Sequence, residues 1–142
     1  MITQSKTPVD IIQELILIHT TRMEACSKLQ AKQLDDHFKP RVNSTTEQSK
    51  QFIKALMNEL SNFGDAVKAD VSSDNEYHKL YEEMLATLDT ENTPGLVQLF
   101  NSMEESLKTT YLHIIESQQE FSASLIELLN KQFSAIEKTL DQ

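Results

Sequence analysis

The spacing of apolar residues over positions 94–117 constrains the fold more than any other feature of the chain. Apolar side chains recur there at steps of three and four, which gathers them on one face of a helix with about 3.6 residues per turn. The members of this stripe are Leu96, Leu99, Phe100, Met103, Leu107, Tyr111 and Ile114. Thr93 is the predicted N-cap, and Pro94 suits a first helical turn. Such a stripe needs partner helices, so the segment predicts one member of a helical bundle.

Two adjacent carboxylates of this helix differ in their orientation. A rotation of about 100° per residue places Glu104 about 70° from the middle of the stripe and Glu105 nearly opposite it. Of the two, only Glu104 is therefore able to face the interior. We expect that interior to be packed with apolar side chains.

Composition indicates an all-α protein with a single domain over residues 1–142. The chain has 2 glycines and 3 prolines, too few for a sandwich or barrel with many tight turns. A chain of 142 residues is long enough to bury one stable core. The formal net charge of -9 repels phosphate backbones, and no cluster of lysine or arginine reverses it, so nucleic acid is not an expected partner.

The remaining composition points to a cytoplasmic protein. Cys26 is the single cysteine, so no intrachain disulfide is possible, and its apolar neighbours predict a small buried side chain rather than a reactive thiol. Residues 1–7 are not followed by a secretory apolar run. The most apolar window, residues 11–18, is far shorter than the roughly twenty residues of a membrane span, so no membrane association is expected.

Five helices are predicted, over residues 8–34, 38–63, 75–88, 94–116 and 122–140. Thr7 and Pro8 mark the first start. The second start has two alternatives: the Ser-x-x-Glu capping box at Ser44 favours a late one, whereas the apolar stripe continues back to Phe38, which we prefer. Gly64 is the predicted end of that helix. Four long helices and one short helix, the short one in a polar crossover after Gly64, predict a roughly antiparallel four-helix bundle.

A carboxylate-bridged metal site in such a bundle needs Glu-x-x-His pairs, and the sequence contains none. His19 lies in the apolar arc of the first helix. It is either a metal ligand or, as we favour, a neutral core histidine bonded to a hydroxyl such as Ser49 or Thr45. Glu59 and Glu104 lie on the shoulders of their stripes, where a packed stem with a solvated carboxylate is the favoured interpretation. The last helix has no inward carboxylate, and only its Gln132 lies near the apolar face.

Nucleophilic and phosphoryl chemistry find little support in the sequence. Cys26 lacks a base and exposure, so a catalytic thiol is not expected. His78 and His113 lie on helices near a lysine, which leaves a histidine phosphotransfer module as an alternative, although surface histidines without a role are favoured. The two glycines are too far apart to form a phosphate loop.

Several short strings, in this order and spacing, resemble the bacterial ferritin-like proteins catalogued as domain of unknown function 2383. The strings are Asp35-Asp36-His37-Phe38-Lys39, Gln51-Phe52, Glu59-Leu60, Glu76-Tyr77-His78-Lys79-Leu80, Glu104-Glu105 with Tyr111, and residues 129–133. The resemblance implies a ferritin-like fold. Family members are richer in acidic positions where this chain has Thr20-Thr21-Arg22, Ala55 and Asn101, which implies that this chain has lost any ancestral metal chemistry.

The leading hypothesis is therefore a metal-free ferritin-like bundle with a structural or protein-interaction role. No catalytic, cofactor-binding or metal residue is assigned, and no cofactor is expected. Apolar residues beyond one stripe at 11–18 predict a homodimer through a helix face, and an unidentified protein partner is possible. The alternatives are a di-iron or di-manganese oxidase or metal store using His19, Glu59 and Glu104, and a phosphotransfer module using His78.

Overall fold

The computed structural model describes residues 7–32, 34, 36–64, 75–90, 92–117 and 121–140, and this part of the chain contains α-helices and no β-strand. The helices are α1 (Pro8–Gln30), α2 (Phe38–Ser61), α3 (Glu76–Leu88), α4 (Thr93–Glu116) and α5 (Ala123–Leu140). The predicted all-α class is confirmed. Three predicted connecting segments lie partly or wholly outside the described residues: the crossover at 65–74, Asp35 between the first two helices, and residues 118–120.

The helix starts follow local capping chemistry. At α1 the Thr7 hydroxyl accepts a hydrogen bond from the Asp10 N–H, and the Asp10 carboxylate accepts one from the Thr7 N–H, each at 3.1 Å. At α4 the cap is Asn92 rather than the predicted Thr93. The Asn92 side-chain oxygen accepts from the N–H of Gly95 at 3.1 Å, which places Thr93 inside the first turn.

The second helix begins at Phe38, so the alternative start at Ser44 is wrong. A buried stripe runs through both candidate starts, and its burial outweighs the local capping signal: Phe38, Val42, Thr45, Ser49 and Leu56. The helix ends at Ser61, and Gly64 follows with φ of 60°, a value that glycine adopts without a Cβ clash. The first helix ends at Gln30, four residues before its predicted end at Leu34.

Paired side-chain contacts give the directions of the four long helices. α1 and α2 are antiparallel. Gln30 bonds to Asn43 and His19 bonds to Ser49, so the residue number increases along one helix as it decreases along the other. α4 and α5 are antiparallel as well. Lys108 pairs with Glu137 at 3.9 Å, whereas Tyr111, which lies further along α4, bonds to Gln132, which lies earlier on α5.

Two further helix pairs complete the arrangement. α1 is antiparallel to α4, as the bonds of Arg22 to Glu104 and of His19 to Tyr111 show. α2 is antiparallel to α5, because Gln48 bonds to Thr139 and Glu59 to Ser124. α2 and α4 consequently run in the same direction, so the chain must return along the molecule between them. α3 lies in that connection and packs on α4 and α1, where His78 contacts Thr21.

Most apolar side chains of α1 are buried within this single chain. Its buried apolar residues are Val9, Ile11, Ile12, Leu15, Ile18, Ala25, Cys26 and Leu29. The helix contacts both α2 and α3, and its side chains also reach α4. Intramolecular burial thus explains most of the apolar excess at residues 11–18, while Ile16 and Leu17 stay partly exposed. The large apolar residues that are exposed in the described chain are Met57 on α2, Leu112 on α4 and Ile126 on α5.

The described helices include no candidate membrane span. None of them combines the length and the mean hydropathy that a bilayer-spanning segment needs.

Candidate functional site

Six buried polar side chains meet at the centre of the four long helices, and we call them the polar core network. They are His19 and Arg22 from α1, Ser49 from α2, Glu104 and Tyr111 from α4, and Gln132 from α5. Each is between 0% and 2% exposed. The expectation of a purely apolar interior is wrong, because every one of these groups finds a hydrogen-bonding partner on another helix.

A bidentate ion pair between Arg22 and Glu104 forms one end of the network. Nε of Arg22 donates to Oε2 of Glu104 at 2.9 Å, and Nη2 donates to Oε1 at 2.6 Å. The guanidinium also donates through Nη1 to the Ser49 hydroxyl at 3.1 Å and through Nη2 to the side-chain oxygen of Gln48 at 2.7 Å. Burial alone lowers the pKa of Arg22, but the charge and hydrogen bonds of Glu104 outweigh it and raise that pKa above its ordinary value.

The other end of the network is oriented by a backbone carbonyl. The side-chain nitrogen of Gln132 donates to the carbonyl of Phe52 at 3.4 Å, and since a carbonyl only accepts, the amide oxygen of Gln132 must face Tyr111. The Tyr111 hydroxyl then donates its single proton to Gln132 at 2.6 Å. The tyrosine oxygen is left as an acceptor for the imidazole of His19.

These directions assign the proton of His19. Nε2 carries the hydrogen and donates to Tyr111 at 2.8 Å, so Nδ1 keeps its lone pair and accepts from the Ser49 hydroxyl at 3.1 Å. The Ser49 oxygen in turn accepts from Arg22. Burial, with a smaller contribution from Arg22, lowers the pKa of His19 well below its ordinary value, which keeps the ring neutral. Burial likewise raises the pKa of Tyr111.

The favoured interpretation of His19, a neutral core histidine bonded to a hydroxyl, is confirmed with Ser49 as its partner. For Glu104 the rim interpretation is wrong, because the carboxylate is 0% exposed and paired with Arg22. Glu59 does keep a partly exposed carboxylate, whose two oxygens each accept from the Ser124 hydroxyl at 2.9 Å. It lies ten residues beyond Ser49, or about 15 Å along α2, so the three candidate metal ligands are not brought together.

A two-metal carboxylate centre does not fit these residues. Glu104 is the only carboxylate buried within the described chain, and both of its oxygens accept from Arg22. No group of three or more histidine, cysteine, aspartate or glutamate side chains converges anywhere in that part of the chain. Bridging carboxylates and terminal imidazoles are the donors that such a centre needs, and here a guanidinium holds the one carboxylate instead.

The other candidate groups are occupied or remote. His78 is partly buried, and its Nε2 and Nδ1 lie 2.9 Å from the Thr21 hydroxyl and 3.1 Å from the side-chain oxygen of Asn75. Burial lowers its pKa. His113 is exposed on α4. Cys26 is 0% exposed, and burial raises the pKa of its thiol to about 11, as suits the small buried side chain that was predicted.

The central role of Arg22 is not among the expectations from the sequence, in which this residue is only a departure from an acidic position. A helical signal for it is nevertheless present. Arg22 follows His19 by three residues and precedes Cys26 by four, which places it inside the apolar arc of α1. A single inward cation on α1 and a single inward acid on α4 are the pattern of a buried pair.

Comparisons of this chain with family models, with curated proteins and with solved structures return no match. The fold and the site define a five-helix protein, over the described residues, with an ion pair at its centre.

His19 makes stability depend on pH. The unfolded histidine binds a proton below about pH 6.5 whereas burial disfavours the protonated form in the folded state, so the contribution of His19 to the free energy of unfolding falls as the pH falls from about 7.5 to 5, by up to about 2 kcal/mol. Urea unfolding of the wild type and of His19→Gln across this range is expected to give a flatter dependence for the variant. His113→Gln, at an exposed position outside the network, should keep the wild-type dependence; equal slopes for His19→Gln and the wild type would contradict the assignment.

Arg22 and Glu104 should be strongly coupled in a double-mutant cycle. Arg22→Met strands a buried carboxylate and Glu104→Gln a buried guanidinium, so each is expected to lower the free energy of unfolding by about 3–5 kcal/mol. Arg22→Met with Glu104→Gln removes both charges and should cost at least about 2 kcal/mol less than the sum of the single changes. The exposed pair of Lys50 and Glu47, 3.3 Å apart, is the control and should show almost no coupling. Additive losses at Arg22 and Glu104 would show that the two charges do not depend on each other.

Proposed function

We propose that this protein is a metal-free helical bundle of ferritin-like architecture with a structural or protein-interaction role. The observation that carries the proposal is the bidentate pair of Arg22 and Glu104 at the bundle centre. A reaction centre inside the bundle needs unpaired acids, bases or ligands at that place. Here the polar groups bond to one another. In the chain of hydrogen bonds from Arg22 to Gln132, each group donates to the next.

The ferritin-like part of the proposal is supported by the directions of the helices. α2 and α4 run parallel, and the long connection between them carries the short helix α3. A four-helix bundle with a single long crossover between its second and third long helices has this arrangement. The resemblance of the quoted strings to the bacterial ferritin-like family points the same way.

The two alternatives have weaker support. A di-iron or di-manganese oxidase or metal store needs Glu59 beside His19 and Glu104, and Glu59 lies at the far end of α2 with Ser124. A phosphotransfer module needs a ring nitrogen of His78 that is free to accept a phosphoryl group. Both nitrogens of His78 lie within hydrogen-bonding distance of neighbouring oxygens.

Metal analysis tests the metal-free state. Protein purified without chelator and dialysed against metal-free buffer is expected to contain well under one equivalent of iron, manganese or zinc per chain by plasma mass spectrometry. The physical reason is that Arg22 already compensates Glu104, the one carboxylate that is buried among the described residues. A stoichiometric transition metal in the wild-type protein would overturn this part of the proposal in favour of the oxidase or storage alternative.

The interaction role includes the predicted homodimer, for which the exposed apolar side chains of α2 and α5 are the candidate contacts. Glu59 contacts Ser124, and Met57 and Ile126 each lie two residues away, a rotation of about 200°, so both apolar side chains point away from this α2–α5 contact. These two apolar side chains are 56% and 44% exposed. They are therefore two separate exposed apolar positions, and we expect a second copy to cover them.

Light scattering at micromolar concentration is expected to give the mass of a dimer, and the double variant Met57→Glu with Ile126→Glu that of a monomer. The charges would have to be buried in the dimer, which is costly. Leu112→Glu, at an exposed apolar position on α4, is the matched control and should remain dimeric. A monomeric wild-type protein would refute the homodimer and leave only a different protein as partner.

A further inference from the structure

Arg41 on α2 is a cation without a carboxylate partner. Its Nη2 donates to the side-chain oxygen of Asn101 on α4 at 2.8 Å, and its guanidinium carbon lies 5.8 Å and 5.6 Å from the ring centres of Phe38 and Phe100. Within the described chain, no carboxylate forms an ion pair with it. A neutral amide and two aromatic rings therefore hold a half-buried positive charge that no negative charge compensates.

Two buried atoms on the same face of α2 lack a hydrogen-bonding partner. They are Nε of Arg41, which carries a hydrogen, and the hydroxyl oxygen of Thr45, a residue that is 1% exposed. The two residues are four positions apart, so their side chains are neighbours on the helix surface. Buried polar groups are ordinarily paired, so two unpaired groups side by side point to a bound acceptor.

Thr45 differs from other threonines of the helices in its hydrogen bonding. The hydroxyls of Thr46, Thr110 and Thr139 donate to the carbonyl four residues earlier, at 3.1, 2.9 and 3.0 Å, which is a common partner of a helical threonine. The Thr45 hydroxyl makes no such bond, so its proton is available to a group outside the helix. Nε–H of Arg41 and O–H of Thr45 are thus two donors that need the same kind of atom.

We propose that Arg41 and Thr45 bind a small monovalent anion such as chloride, which accepts from Nε–H of Arg41 and from the Thr45 hydroxyl. A single-atom anion suits the site, because each residue contributes one hydrogen from a buried atom. A water molecule would accept the same hydrogen bonds but leave the charge of Arg41 uncompensated. Partial burial makes an uncompensated charge unfavourable, and a counter-ion removes that cost.

The surroundings of Arg41 favour a negative charge. The residue lies near the start of α2, where no acidic side chain of the first turn offsets the positive end of the helix dipole and the exposed Lys39 adds a further cation. The formal net charge of -9 acts against anions from a distance, and at about 0.15 M salt it is screened over roughly 8 Å. The site rests on these local groups and goes beyond the proposed function, on which it does not depend.

Thermal unfolding in sodium chloride and in sodium gluconate at equal ionic strength separates binding from screening, because gluconate is too bulky for a single-atom site. Chloride is expected to raise the Tm of the wild type by at least about 2 °C relative to gluconate, by mass action. Thr45→Val should lose most of this difference. In gluconate it should be at least as stable as the wild type, because the change removes an unpartnered buried hydroxyl. Lys39→Gln, which removes an exposed cation of the same helix, should keep the wild-type difference.

Asn101→Asp supplies the negative charge from within the chain. Its carboxylate would stand beside Nη2 of Arg41 in place of the amide and compensate the guanidinium. This variant is therefore expected to have a higher Tm than the wild type in gluconate and to lose most of the response to chloride. Asn130→Asp makes the same change of charge at an exposed position of α5 and should respond to chloride as the wild type does.

Crystals of the wild-type protein grown in sodium bromide locate the anion directly. An anomalous difference peak is expected at hydrogen-bonding distance from Nε of Arg41 and from the hydroxyl of Thr45. A water molecule without anomalous signal at that position would overturn the proposal. So would equal Tm values in chloride and gluconate for the wild type, or a chloride response of Thr45→Val and Asn101→Asp as large as that of the wild type.

Discussion

The ion pair of Arg22 and Glu104 is the interaction on which the rest of the structure depends. Two charges without solvent exposure are tolerable only because each compensates the other and because their remaining hydrogen-bonding capacity is used by Ser49 and Gln48. The pair joins α1 to α4, and its two residues are 82 positions apart in the chain. If those helices separate, or if one shifts along the other by a turn, the two charges lose each other as hydrogen-bonding partners.

The hydrogen bonds that extend from this pair define how the four long helices sit against one another. Apolar stripes attract helices but tolerate small rotations and translations, because dispersion and area burial have no direction. Hydrogen bonds have a direction and a narrow range of length. The sequence of donors from Arg22 through His19 and Tyr111 to Gln132 touches all four long helices, so a change of register on any one of them breaks a bond in the buried centre.

The polar groups of this interior are bonded to one another. A bundle can use its central polar groups either to hold its helices or to carry out chemistry, and here the acid, the imidazole and the phenol are each bonded to a protein partner.

The helices follow from the sequence alone, because periodicity and capping are local properties of the chain. Steps of three and four gave the five helices and their class, Thr7 with Pro8 gave the first start, and the apolar arc of α1 placed His19 inside, where Ser49 is its partner as expected. Some local signals compete, and packing chooses between them, as the start of α2 at Phe38 shows. The pairing of Arg22 with Glu104 was decided only by the tertiary structure. A buried charge pair depends on which helices are neighbours and at what register, and those relations join residues far apart in the chain that no helical period connects.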